Sequence, residues 1–169
     1  LMAKDLWISD LQSGDMVEQE ISIQGWVKRS RSSGKIIFMS LRDSTGSIQC
    51  VAKKDTLDEQ KFADLKSALI ESSLVITGTV KEDQRSGGNE ISVTDVEIIG
   101  AVNPEAPFPI TESAMAAADG GETEFLLDNR HLYLRTSRMT TMLKIRSSVF
   151  GAIHSYFRGL DFVEYQAPC

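Results

Sequence analysis

Residues that build metal centres and covalent frameworks are scarce in this chain: two cysteines, Cys50 and Cys169, and two histidines, His131 and His154, among 169 residues. The cysteines lack metal-ligand spacing, so neither a disulfide framework nor a zinc site is expected. No apolar run approaches the roughly 18 residues that a membrane helix needs, and no basic-then-apolar leader opens the sequence. The expectation is a reducing, cytoplasmic setting with no membrane partner. Positive charge is also in deficit. Eighteen lysines and arginines against 24 aspartates and glutamates leave a net charge of −6, unlike a general nucleic-acid coat protein. At 41% apolar and 25% charged the composition is otherwise ordinary, which excludes wholesale disorder.

The charge deficit is unevenly spread. Between Trp26 and Lys54 lie Lys28, Arg29, Arg31, Lys35, Arg42, Lys53 and Lys54 against the single acid Asp43. Between Glu82 and Glu124 lie ten acids against Arg85 alone. A local basic patch on an acidic protein can hold a short run of phosphates while the rest of the surface repels bulk nucleic acid.

Three regions are expected: residues 1–100, a linker over 101–123, and a third region from 124 to 169. In the first, Ile21, Ile23, Gly25 and Val27 alternate with polar neighbours, as a half-buried strand requires. Ile37, Met39 and Leu41 repeat the period after a turn at 32–35, and Ile48, Cys50 and Ala52 after a turn at 43–46. Thr56 and Glu59 read as a capping box opening a helix whose apolar stripe is Leu57, Phe62, Leu65 and Leu69. Two strands follow, with Leu74, Ile76, Gly78 and Val80 on one inner face and Ile91 and Val93 on the other. Three strands, a helix and two strands is the order of an OB-fold, a mainly β five-stranded barrel, although periodicity alone also admits another small barrel.

The linker carries Asn103-Pro104, Ala106-Pro107-Phe108-Pro109 and Asp119-Gly120-Gly121, which deny it a continuous helix or strand. Residues 114–118 could form a short helical turn. The third region holds a long helix from about Ser137 to Leu160, with Met139, Met142, Leu143, Ile145, Val149, Phe150, Ile153 and Phe157 in a wide apolar stripe. Such a stripe needs a large partner. It opens a larger α+β domain or packs on a second chain.

Strand phase points to a binding face. With Ile37, Met39 and Leu41 inside, Phe38 shares the outer face with Ser40 and Arg42, near Lys28, Arg29 and Arg31. An aromatic ring beside cations on a barrel's wet face is a platform for unpaired bases. Gln49 on the next strand offers donors and an acceptor to a base edge, and Lys81 and Glu90 fall on the same face. Each residue alone would more often be a solvated or covered side chain. Their convergence favours a nucleic-acid surface over a stand-alone protein-contact module.

Family motifs add to this. Gly25-Trp26-Val27-Lys28-Arg29-Ser30-Arg31, then 36–43, Gly46 and Ile48-Gln49-Cys50-Val51, resemble the anticodon-binding OB domain of class II aminoacyl-tRNA synthetases of the aspartate, asparagine and lysine subgroup. Residues 126–135 resemble the segment leading into their catalytic domain. The long helix with 162–168 resembles motif 1, a helix and strand that form a dimer interface and end in proline. The His131-Leu132-Tyr133-Leu134-Arg135-Thr136 wording resembles the asparaginyl branch more than the aspartyl one.

The resemblance implies roles. Phe38 would stack on an anticodon base, Gln49 would read the central uridine, Arg31 would meet the first base, and Glu90 would contact the same loop. Lys28, Arg29 and Lys81 complete the implied tRNA contacts, Lys81 standing where an arginine is common and Asp83 where another often lies. Phe150, Phe157, Phe162 and Pro168 would belong to the homodimer interface, and Asp161 stands where the family has glycine. ATP and Mg2+ would serve the parent enzyme, an asparagine–tRNA ligase acting through an aminoacyl-adenylate. The motifs that hold ATP in this family lie beyond motif 1, so these residues are expected to bind tRNA without catalysing ligation. An aspartyl enzyme and a stand-alone single-strand-binding OB module are the alternatives.

Overall fold

The computed structural model describes residues 6–12, 14–83, 87–110 and 123–165. The chain divides into two compact units, Leu1–Phe108 and Pro109–Cys169. The first unit is a closed barrel of strands β1 (Glu20–Ser33), β2 (Ile36–Arg42), β3 (Ser47–Lys53), β4 (Ser73–Asp83) and β5 (Gly88–Gly100), in spatial order β1-β2-β3-β5-β4. All neighbours are antiparallel except β3 and β5, whose short parallel ladder (Gln49 to Glu90, Cys50 to Ile91, Val51 to Ser92) closes the barrel. With helix α2 (Glu59–Ser67) between β3 and β4, the arrangement is the OB-fold.

The alternating residues fill the interior as strand phase requires. Ile23, Val27, Ile37, Leu41, Leu74, Ile76, Val80 and Ile91 are sealed from solvent in one cluster with Cys50 and Val93. Glycine sits where strands approach too closely for a side chain. A Cβ on Gly25 would lie 2.6 Å from the Arg42 carbonyl oxygen, and one on Gly78 would lie 2.3 Å from that of Ser92. Gly34 turns β1 into β2 with a φ of +60°, as the first central residue of a two-residue hairpin loop.

One local reading changes. Helix α2 is capped by Asp58, whose Oδ1 accepts from the Gln60 and Lys61 amides, and not by Thr56. Thr56 instead donates its hydroxyl to the Lys53 carbonyl, and Glu59 pairs with Lys54. Leu57, between Thr56 and Asp58, is buried ahead of the first helical turn. Lys61 and Asp95 then tie the helix to β5, and that bond holds the Asp95 carboxyl below its ordinary pKa.

An element with no sequence signal opens the barrel. Helix α1 (Ile8–Leu11) buries Ile8 and Leu11 completely within the core cluster. Asp43 Oδ2 accepts from the Ile8 amide, Thr45 Oγ1 from the Ser9 amide, and Asn89 donates to the Leu11 carbonyl. Four residues cannot hold a helix by themselves, so these tertiary contacts make it.

The second unit contains α3 (Thr123–Asp128), α4 (Arg130–Tyr133) and α5 (Ser137–Arg158). Thr136 caps α5 by accepting from the Met139 amide. The helix ends at Arg158, two residues before the expected Leu160. The Asp161 amide donates to the Arg158 carbonyl and the Phe162 amide to that of Phe157, while the rings of Phe157 and Phe162 meet edge to face. This is the Schellman stop, with Asp161 in the left-handed position (φ 61°) that usually takes glycine. Residues 162–165 form no strand, so a motif 1 strand is absent among the described residues. The suggested helical turn at 114–118 and Pro168 lie outside those residues.

Candidate nucleic-acid interface

The outer faces of the strands assemble the site. One cross-strand row runs Arg29, Ser40, Gln49, Glu90, Lys81 through β1, β2, β3, β5 and β4 in order. At about 4.8 Å per strand it is about 19 Å long. The adjacent row runs Arg31, Phe38, Val51, Ser92, Thr79. Six residues expected to contact RNA thus occupy two neighbouring rows of one face, none of them buried.

A β-bulge makes this possible. Val27 faces Leu41 across the β1–β2 ladder, but the ladder then shifts, so that Arg29 faces Ser40 and Arg31 faces Phe38. Strict alternation from the buried Val27 would send Arg29 and Arg31 into the barrel interior. The extra residue at Lys28 reverses the phase and turns both guanidinium-bearing positions onto the face of Phe38. The signal was in the sequence: two arginines in phase with a buried valine cannot both be core residues.

Within the rows the groups are already engaged. The Arg31 guanidinium carbon lies 5.5 Å from the centre of the Phe38 ring, a cation–π contact on a half-buried ring. Gln49 Nε2 donates to Glu90 Oε2 at 2.8 Å. Lys81 Nζ donates to both oxygens of Glu18 at 2.7 and 2.6 Å, a partner that sequence reading missed because Glu18 lies before β1 and has a φ of 66°. That pairing removes Lys81 as an uncompensated cation. Beneath the face, burial pushes the Cys50 thiol up to about 12, the Leu41 backbone working against this and the nearby Glu90 charge adding to it.

Electrostatically the face grades from cations on β1, through an aromatic ring and an amide, to a carboxylate. Such a surface can stack an unpaired base, meet its edge with an amide and hold the adjoining phosphates. Among the described residues no group of three or more His, Cys, Asp or Glu side chains is placed to hold a metal ion.

Comparison with known proteins decides the lineage. Residues 21–99, the barrel strands, match the family described as the OB-fold nucleic acid binding domain. The asparagine–tRNA ligase of Thermoplasma acidophilum is 42% identical over 164 residues, which span 96% of this chain and 36% of that protein. The asparagine–tRNA ligase of Lactobacillus johnsonii is 41% identical over 162 residues, 95% of this chain and 35% of the relative. The crystal structure of asparaginyl-tRNA synthetase from Pyrococcus horikoshii superposes with a TM-score of 0.84 at 30% identity, over 99% of this chain and 38% of that one. The chain is a homologue of the asparaginyl-tRNA synthetases.

It spans little more than a third of the length of these relatives. In this synthetase homologue the residues assigned to motif 1 lie on the second unit and are open to solvent: Phe150 is 49% exposed, Phe157 46% and Phe162 61%. Met142, Leu143, Ile145, Val149 and Ile153 continue the exposed apolar stripe along α5. None of the helices among the described residues is long and apolar enough to cross a membrane.

Proposed function

We propose that the barrel of this synthetase homologue binds the anticodon loop of tRNA, and that the synthetase to which these residues belong joins asparagine to that tRNA. The observation that carries the reading is the pair of adjacent rows placing Phe38 and Arg31 beside Arg29, Gln49 and Glu90. Phe38 stacks on one anticodon base, Gln49 addresses the central uridine, Arg31 meets the first base, and Glu90 lies against the same loop. Lys28 and Arg29 hold phosphates. Lys81 acts there only after release from Glu18.

ATP and Mg2+ serve the ligation reaction of the proposed parent enzyme. Among the described residues no group of three or more His, Cys, Asp or Glu side chains is placed to hold Mg2+, and these residues are proposed to bind tRNA without aminoacylating it. The exposed stripe of α5, with Phe150, Phe157 and Phe162, is proposed as the homodimer face, its occupant a second copy. The buried free thiol of Cys50 agrees with a reducing cytoplasmic setting.

The test is binding of the 169-residue chain to anticodon stem-loops carrying GUU, GUC and a scrambled triplet. Preference for GUU supports the asparaginyl reading, preference for GUC the aspartyl one, and indifference to the triplet leaves a general single-strand binder. Amino-acid-dependent exchange of pyrophosphate with ATP by the chain alone would overturn the non-catalytic assignment.

A further inference from the structure

The bond between Gln49 and Glu90 constrains what Gln49 can present. A carboxamide has two ends of similar shape, one accepting and one donating. An ionised carboxylate only accepts, so it can face only the amino end. Gln49 Nε2 does donate to Glu90 Oε2, at 2.8 Å, and the two residues are paired across the β3–β5 ladder. Reversing the amide would set its carbonyl oxygen against the carboxylate and forfeit a charge-assisted bond. The amide is therefore held in one orientation, its carbonyl oxygen turned from Glu90 and one amino hydrogen left to donate.

We propose that Glu90 is a positioning residue that fixes the donor–acceptor order of Gln49 and so excludes cytosine at the base Gln49 addresses. The proposal rests on the reading above that Gln49 faces an unpaired base. Along the edge of uracil a donor N3–H lies beside the acceptor O4. Along the same edge of cytosine an acceptor N3 lies beside the donor amino group at C4. The two orders are opposite. With the amino end of the fixed amide facing position 4 of a stacked base and its carbonyl oxygen facing N3, the amide pairs with uracil and opposes cytosine. Glu90 then selects a pyrimidine without touching it.

The experiment measures binding of the full chain to stem-loops that differ only in U or C at the middle anticodon position, for the unaltered protein, Gln49→Ala and Glu90→Gln. The unaltered chain is expected to prefer U by roughly five- to a hundredfold. Gln49→Ala is expected to abolish the preference by weakening the U loop. Glu90→Gln substitutes a group that can donate or accept and lets Gln49 turn, so the preference collapses through a gain for the C loop. The ratio is the readout, because removing a negative charge strengthens every RNA alike.

A Glu90→Gln ratio equal to that of the unaltered chain, or equal weakening of both loops, overturns the positioning role. No preference in the unaltered chain overturns the underlying reading of Gln49 instead. As a measurement independent of RNA, the side-chain amide signals of Gln49 in 1H–15N spectra should shift on Glu90→Gln in the free protein. Unchanged signals count against the constraint.

Discussion

Arg31 and Phe38 are direct cross-strand partners, and the guanidinium of the one lies over the ring of the other. The stacking surface is therefore partly covered by a planar, weakly hydrated cation, which a base can replace or sandwich. Phe38→Ala should weaken stem-loop binding by about 1–3 kcal/mol, five- to a hundredfold. Fluorescence anisotropy at fixed salt measures it, and unchanged affinity would remove the ring from the interface.

The lysines should separate by salt dependence. No ion pair among the described residues holds Lys28, whereas Lys81 is bound by Glu18. Lys28→Ala should lower the slope of log K against log salt by about 0.7, the value for one single-strand phosphate contact. Lys81→Ala should lower it by less than half of that. A titration series from low to moderate salt distinguishes them, and equal slopes would contradict the Glu18 pairing in solution.

Two glycines should fail for different reasons. Gly78→Ala forces a methyl group to within 2.3 Å of the Ser92 carbonyl at the β4–β5 contact, and should cost about 1–3 kcal/mol or more. Gly34→Ala meets no neighbour within 4 Å but must hold a φ of +60°, a cost of about 1 kcal/mol. Urea midpoints give the order: Gly78→Ala well below Gly34→Ala, and both below the unaltered chain.

Cys50 makes stability depend on alkaline pH. Its folded pKa is raised to about 12 by burial, above the roughly 8.5 of a free thiol. The folded state thus keeps a proton that the unfolded chain releases. The stabilisation is fully present below about pH 8.5 and is lost as pH rises through 12, at about 1.4 kcal/mol per unit. Denaturation between pH 8.5 and 11 should show a steeper fall for the unaltered chain than for Cys50→Ala. In a Cys169→Ser background the remaining thiol should resist alkylation at pH 8 until the barrel unfolds.

Asp161 holds a glycine position in the stop signal of α5. Asp161→Gly should relieve about 1 kcal/mol of left-handed backbone cost, raising the thermal midpoint of the second unit. An unchanged or lower midpoint would mean that the aspartate side chain compensates locally.

Much of this architecture was legible because a barrel interior leaves a period of two in the sequence. Strands β2, β3 and β4 kept the expected inner residues throughout, and Phe38, Gln49 and Glu90 fell outside as phase required. Beyond Val27 the period misleads, since one inserted residue reverses it, and only the cost of burying arginine reveals the reversal. Helix α1 left no pattern because its two buried residues are fixed by Asp43 and Asn89 from distant parts of the chain. The Glu18–Lys81 pair was invisible for a related reason, its partners lying 63 positions apart. The Asp58 cap was legible, since aspartate is a favoured N-cap, but Thr56 with Glu59 offered a competing capping box.

The short parallel ladder between β3 and β5 has a thermodynamic corollary. Its two sides come from residues 41 positions apart and are held by three residue pairs, the fewest of any ladder in the sheet, so little pairing offsets the cost of closing that loop. Gln49 and Glu90 are its first rung. Parting that joint would disperse the proposed recognition surface while the other ladders remain zipped, so an RNA that spans it would act as a clasp, and slower amide exchange at Cys50 and Ile91 on binding would register the grip.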